Sequence, residues 1–297
     1  MSKVSAFFDG NWLLHRAESA IGRFTAVPER RVPMLVLNWC CEYSLKLGAD
    51  YGALCFDGGD NFRYEVFKDY KKSRSSSQEK SDTSDKVYEY LSPTIRLFNH
   101  IHFPVYQNPK LEADDLIAAG AYSFTREEDM FRDNRSAYIV CRDKDLLQRV
   151  DERVTVYQPA MKGSEEIFYT PKRVHEIRGM TPRQFLDYQV LVGDGIDDVP
   201  GVMTAGPARA ILKKYGNLQA WSKTEEGDAF FSKNLRALIR NKRLISMAYR
   251  AWSPTDEELV LNLSRDADDA IVEEFGKLPK AVTAFRGLRS AGRQTLF

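Results

Sequence analysis

Nine acidic residues stand mostly where strands end or helices begin: Asp9, Asp57, Glu112, Asp114, Asp115, Asp143, Asp145, Asp194 and Asp197. The stretch LEADDL (Leu111–Leu116) alone packs three of them into four positions. Two like charges ~4 Å apart repel by about 4 kcal/mol at an effective dielectric of ~20. A helix N-terminus returns only about 0.3–1 kcal/mol to each acid, so the helix start suggested by Asn108-Pro109 does not offset the crowding. Acids gathered in one pocket either shift their pKa values strongly or share cations. Hard oxygen donors with no His or Cys among them favour Mg²⁺ or Mn²⁺ over zinc. Two such ions can activate a water and neutralise the leaving oxygen of a phosphodiester. Any one of these acids taken singly reads as an ordinary turn former. The set as a whole points to phosphodiester chemistry.

The elements that would carry these acids are legible. Val4–Phe8 leads to Asp9, Tyr51–Phe56 to Asp57, and Ala137–Cys141 to Asp143, each an apolar run that reads as a strand. Segments with helical periodicity lie between them, such as Val32–Leu47 and Val87–Phe98. Strands alternating with helices predict an α/β fold with a parallel, doubly wound sheet. Ligands of such sheets bind at the carboxyl ends of the strands, where these aspartates fall. Ser73 to Ser84 contains no apolar residue and reads as a loop or weak helix. From residue 181 the chain turns mainly helical. Thr181-Pro182-Arg183-Gln184 predicts a capping box opening a helix to about Val192. Pro207 then starts a second helix that Gly216 stops, and Asn234–Trp252 reads as a long helix carrying Arg236, Arg240, Lys242, Arg243 and Arg250.

A chain of 297 residues, 43% hydrophobic and 29% charged, has the composition of a soluble globular protein. Its net charge of +1 says nothing of partners, so the distribution of charge must. The four cysteines (Cys40, Cys41, Cys55, Cys141) form no CxxC pair, and a reducing, cytoplasmic compartment fits them. MSKVSAFFDG is too short before its aspartate for a signal sequence. No apolar run approaches the ~18 residues of a membrane span.

Two further groups of residues suit nucleic acid. Arg63, Lys68, Lys71, Lys72 and Arg74 fall within a dozen residues, with Tyr64, Phe67 and Tyr70 interleaved. Cations for phosphate and aromatics for stacking fit a single strand, although a solvated amphipathic helix has the same pattern. In PGVMTAGPARA (Pro200–Ala210), a glycine-rich hairpin before a helix offers backbone N–H groups to a duplex phosphate. Gly201, Val202, Gly206 and Arg209 are its candidate contacts, and a bare Gly-Pro turn is the competing reading. The basic 233–250 segment either extends that face or is a solvated helix.

The motifs FFDGNWLLHRA, CFDGGDNFRYEVFKDYKKSR, LEADDLIA, CRDKDLLQ and LVGDGIDDVPGV occur in the order of the 5′-nuclease (flap endonuclease) superfamily. The chain resembles a free-standing phage or bacterial 5′–3′ exonuclease, similar to the nuclease portion of bacterial DNA polymerase I, over roughly residues 4 to 215. The resemblance implies a PIN-like α/β core with a helix–three-turn–helix subdomain. That places a metal-dependent nuclease core at 1–180, with a helical arch at about 64–95, and a DNA-binding helical region at 181–297. It implies a tighter metal site of Asp9, Asp57, Glu112, Asp114, Asp143 and Asp145, and a second of Asp115, Asp194 and Asp197. It brings Lys71 and Arg74 to the scissile phosphate, gives Arg16 a basic family position, and places Asp198 where relatives usually carry Asn. In relatives the hairpin often holds K⁺; Thr204 at a common glycine position and Ala208 in place of a frequent lysine depart from that pattern. GRQTLF at the C-terminus resembles peptides that dock on sliding clamps, through Gln294–Phe297.

The expectation is therefore a monomeric 5′ nuclease of a bacterial or phage-infected cytoplasm, using two or more Mg²⁺ ions with Mn²⁺ as substitute. Its substrates would be DNA with a 5′ flap, nick or 5′ end, and RNA–DNA hybrids. A PIN-type ribonuclease would share the acidic pocket but would need neither Asp194 and Asp197 nor the hairpin. A catalytically silent junction binder would be expected to have lost some acids. A haloacid-dehalogenase-type phosphatase is disfavoured because FFDGN lacks the paired aspartates of that nucleophile loop.

Overall fold

Parallel strands covered on both faces should read as unbroken apolar runs, and the computed structural model turns those runs into the centre of a sheet. It describes the chain except residues 1, 22–25, 76–86, 127–133, 248–252, 262, 264, 266–267, 276–278 and 295–297. Strands β1 (Lys3–Asp9), β2 (Tyr51–Phe56), β3 (Val105–Gln107), β4 (Arg135–Val140), β5 (Val154–Gln158) and β6 (Ile167–Tyr169) are ordered β3-β2-β1-β4-β5-β6. All pairs are parallel except the β5–β6 edge. The register sets Asp9 beside Cys55 and Phe8 beside Val140. The residues that follow these strands, Asp57 and Asp143, therefore emerge at the same edge as Asp9.

Numbering the helices of eight or more residues, the layers are α1 (Gly10–Ile21), α2 (Pro28–Leu47) and α3 (Leu91–His100) on one face and α4 (Ala113–Arg126) and α5 (Pro171–Arg178) on the other. Successive strand residues point to opposite faces. Phe8 accordingly joins the first core with Leu37, Leu97 and Phe98, and Phe7 joins the second with Ile117 and Phe124. The helices α9 (Asp268–Phe275) and α10 (Lys280–Gln294) add Ile271, Val282 and Phe285 to the first core. All four cysteines are free and buried, and burial pushes their thiol pKa values up. No described helix is long and apolar enough to cross a membrane.

The chain beyond residue 181 packs α6 (Pro182–Val192), α7 (Ala205–Tyr215) and α8 (Glu225–Ile245) around Val190, Leu191, Ala208, Trp221 and Leu238. The Thr181–Gln184 capping box is present, and Gly216 stops α7. Three expected boundaries move. Asn108 does not open a helix: its Oδ1 accepts from Lys110 N at 2.9 Å, closing a turn, and α4 starts only at Ala113. Helix α7 starts at Ala205, two residues before Pro207. Helix α8 starts at Glu225, because Thr224 caps it and Glu225, Glu226 and Asp228 fill its first turn. It ends at Ile245, short of the expected Trp252, because Ser246 turns extended.

Candidate active site

The acids reach one cavity from both halves of the chain. Glu112, Asp114, Asp143, Asp145, Asp194 and Asp197 line it, together with Lys71 and Lys144. Asp9 and Asp57 are not in its wall, but their charges act on the acids that are. Desolvation raises the Asp9 carboxyl to about 7, with the Asp57 and Asp143 charges adding to the rise. Burial likewise raises Asp145 to about 7, reinforced by Asp143 and Asp194. Asp114 is pushed up further by burial and by Asp143, Asp9, Glu112 and Asp57. Asp9, Asp114 and Asp145 thus each feel the charge of at least two other acids.

Local structure fixes these side chains. Asp9 Oδ1 accepts from Trp12 N at 3.0 Å, and Asp57 Oδ1 accepts from Ala113 N at 2.7 Å. Asn61, buried and 2.7 Å away, donates to Glu112 Oε1. Asp143 Oδ1 accepts from Asp145 N at 2.7 Å, where a 3-10 turn (Asp145–Arg149) begins. Asp194 Oδ1 accepts from Ile196 N at 2.8 Å. Gly193 precedes it with φ 75°, and a Cβ there would stand 2.2 Å from the Val199 carbonyl. Only glycine allows that turn to bring Asp194 back against the core.

Two ammonium groups lie among the acids. Lys71 Nζ donates to Glu112 Oε1 at 2.5 Å, and Lys144 Nζ to Asp194 Oδ2 at 2.8 Å. They neutralise part of the cavity's charge but leave Asp9, Asp114 and Asp145 raised. Among the described residues, no three acids are already posed as a ready-made coordination shell. The donor set nevertheless fits hard divalent cations: it is all oxygen, strongly anionic, and destabilised as it stands.

Several expected contacts take a different form. Asp115 does not face the cavity. It is fully buried, and Arg63 holds both of its oxygens, Nη1–Oδ2 at 2.5 Å and Nη2–Oδ1 at 2.8 Å. Arg63 is correspondingly removed from any DNA face: it is 2% exposed and also donates to the Leu244 carbonyl. Tyr70 is buried too, its hydroxyl 3.1 Å from Asp197 Oδ2 and 3.2 Å from Glu112 Oε2, so it cannot stack on a base. The Val202 and Met203 N–H groups both donate to the Leu191 carbonyl, at 2.8 and 3.1 Å, because the end of α6 leaves that acceptor unmet. Gly201 is required by packing, since a Cβ would lie 2.2 Å from the Val192 carbonyl.

Other expected contacts are accessible. Lys68, Lys72, Gly201, Gly206 and Arg209 are exposed. The first turn of α7 is exposed and Thr204 supplies no side-chain cap, so an anion can approach it. Arg209 stacks 4.9 Å over Tyr188 and donates to the Arg178 carbonyl. Arg16 is half-buried over Trp39 at 4.2 Å and donates to Tyr43 Oη. The Arg74 and Gln294 side chains, residues 76–86 of the expected arch and residues 295–297 of the expected tail lie outside the described residues.

Sequence reading missed Asn61, Lys144 and Gln189. Gln189 is 4% exposed and donates from α6 to Asp145 Oδ1 at 2.5 Å. The available signal was a polar residue in the apolar register of DYQVLV, four positions after Phe185 and so on the same buried face.

The family described as "5'-3' exonuclease, N-terminal resolvase-like domain" matches residues 5–179. A 5′–3′ exonuclease of Mycoplasma pneumoniae is 29% identical over 303 residues, covering 93% of this chain and 100% of that protein. One from Buchnera aphidicola is 30% identical over 161 residues, covering 54% of this chain but only half of its own length. The bacteriophage T5 D15 protein, crystallised with metal ions, superposes with a TM-score of 0.67 at 18% identity, covering 83% of this chain and 90% of that one. At that identity the superposition establishes a shared fold.

Proposed function

Since the chain belongs to the 5′–3′ exonuclease family through residues 5–179, we propose that it is a structure-specific 5′ nuclease, exonuclease and flap endonuclease, cutting phosphodiesters beside single-strand/duplex junctions. Such an activity would serve replication or repair, RNA primer removal included. One observation supports it above the rest. Asp9, Asp114 and Asp145 are all driven upward by burial and by neighbouring acids, although Arg63, Lys71 and Lys144 line the cavity that Asp114 and Asp145 face. That excess negative charge is a seat for cations.

In this reading Asp9, Asp57, Glu112, Asp114, Asp143 and Asp145 hold one Mg²⁺ and Asp194 with Asp197 a second, with Mn²⁺ as substitute. Such ions supply Lewis acidity and charge neutralisation to an in-line displacement. The chain's own residues supply aim. Lys71 has a left-handed backbone (φ 54°), tied by its N–H to the Asp197 carbonyl at 3.0 Å. Its ammonium lines the cavity beside Glu112, where it would orient a phosphate and balance charge developing on the non-bridging oxygens. Arg74 would act beside it. Lys68 and Lys72 would guide the single strand, and the exposed first turn of α7 with Arg209 would take the duplex backbone. Residues 1–180 would form the cutting portion and 181–297 the duplex-holding portion.

The test compares 5′-flap DNA, nicked duplex, RNA–DNA hybrid and single-stranded RNA, with and without Mg²⁺. Cleavage of flap and nicked duplex that stops when Mg²⁺ is chelated is the expected result. Cleavage of single-stranded RNA alone would assign the chain to PIN-type ribonucleases instead, and binding without any cleavage would make it a junction binder.

A further inference from the structure

Helix α8 carries an arginine whose contacts join two distant parts of the chain. Arg240 donates from Nη2 to the Pro200 carbonyl at 3.2 Å and from Nε and Nη2 to Asn241 Oδ1 at 3.1 and 2.9 Å. Its guanidinium lies 5.0 Å over the ring of Phe67. Pro200 belongs to the short strand Val199–Pro200 that leads into the hairpin, and Phe67 stands four residues before Lys71. Fully buried Asn241 braces the same carbonyl at 2.9 Å and that of Val190 at 3.1 Å.

A second set of contacts runs parallel to the first. The Asp197 carbonyl accepts from Lys71 N at 3.0 Å, and Asp198 Oδ2 accepts from Ser73 N at 2.7 Å. Lys71 and Asp198 both have left-handed backbones, with φ 54° and 56°. Beneath them Tyr70, Val199, Leu244 and Ile245 form a separate small core against which Phe67 packs. The entry to the hairpin and the segment bearing Lys71 are therefore held as one body. A planar guanidinium suits this place because it stacks and donates in its plane at the same time.

We propose that Arg240 is a positioning residue that locks the hairpin's entry strand to the segment bearing Lys71, so that a duplex seated at the hairpin determines where the Lys71 ammonium stands. This rests on the reading that the hairpin face holds duplex and Lys71 meets the scissile phosphate. The bland alternative is that Arg240 is one more cation on the DNA backbone. A phosphate contact, when lost, weakens duplex binding and lowers its salt slope by about one. A lost strut leaves binding and salt slope alone and misplaces Lys71, and a misplacement of ~1 Å can cost about 100-fold in rate.

The experiment measures Arg240→Met and Phe67→Leu beside the parent. Duplex affinity and its salt slope are read without divalent ions, single-turnover cleavage of a 5′-flap duplex with Mg²⁺, and hydrogen exchange of the 70–73 amides with and without duplex. The expected result is affinity and salt slope unchanged within about twofold, cleavage lowered about 10- to 100-fold, and loss of the duplex-induced slowing of exchange that the parent shows. Weakened binding with a reduced salt slope would make Arg240 a phosphate contact and overturn the proposal. So would parent-like cleavage and exchange in both variants. If the parent itself neither binds nor cuts the flap duplex, the proposed function fails, and it fails separately from this inference.

Discussion

Arg63 and Asp115 form a two-pronged ion pair in the interior, with nitrogen–oxygen distances of 2.5 and 2.8 Å and at most 2% exposure on either side. Both were expected at the site itself, one on DNA and one on metal. The pair adjoins it: Arg63 lines the cavity and reaches Glu112 Oε2 at 3.6 Å, and Asp115 Oδ2 behind it accepts from Glu112 N at 3.2 Å. Breaking such a pair from one side strands a buried charge and costs about 3–5 kcal/mol, whereas replacing both partners by apolar residues of similar volume is far milder. Urea titration should find Asp115→Ala and Arg63→Met each strongly destabilised and the double variant Arg63→Met/Asp115→Leu much less so. Single variants with parental stability would return both residues to the site.

Asp145→Asn keeps the shape of the side chain and removes its charge. DNA affinity should persist while cleavage falls by more than ~100-fold, beyond the 10–100-fold typical of groups one layer further out. Gel-shift and single-turnover assays on one flap substrate check this. Cleavage as fast as the parent's would remove Asp145 from the site.

Gln189→Leu removes the amide that holds Asp145 from α6. Mn²⁺ affinity, read by electron paramagnetic resonance, should weaken about 10- to 100-fold. A change confined to thermal stability would make Gln189 a packing residue only.

Asp256 ties the starts of β1 and β4, accepting from Arg135 at 2.6 and 3.0 Å and from Lys3 at 3.1 Å. Burial alone would raise its carboxyl; the hydrogen bonds and charges of Arg135 and Lys3 outweigh that and hold it below its usual value. A carboxyl lowered by folding stabilises above its unfolded value of ~3.9, and that contribution is lost as pH falls through the folded value. Asp256→Asn should cost about 1 kcal/mol at pH 7. The gap from the parent should close towards pH 3; a gap that is the same at both pH values contradicts the linkage.

Deleting Gln294–Phe297 should abolish stimulation by a sliding clamp and leave unstimulated cleavage as it is. Undiminished stimulation refutes a clamp contact at this tail.

How much of this was legible follows from range. Asp9, Asp57 and Asp143 could be placed because a strand buried on both faces leaves an apolar run, and the acid that ends it must sit at the sheet's edge. The Thr181 cap could be placed because capping is settled within four residues. Arg63 and Tyr70 could not, because a cation or phenol amid basic residues looks the same whether it meets DNA or a buried acid. Arg63 meets the Leu244 carbonyl 181 residues further on, a distance over which no local pattern carries information. Lys144 and Gln189 were hidden for the same reason: each acts across the junction between the sheet and α6.

The four enclosed thiols have a practical side. With Cys40, Cys41, Cys55 and Cys141 all sealed off and burial holding their sulfurs in the poorly nucleophilic protonated form, maleimide dyes should ignore the unaltered chain. A single cysteine placed on an exposed position, such as Lys68 or Ser232, would then take a fluorophore alone. The motions of this molecule could be watched one at a time without first stripping its native sulfur.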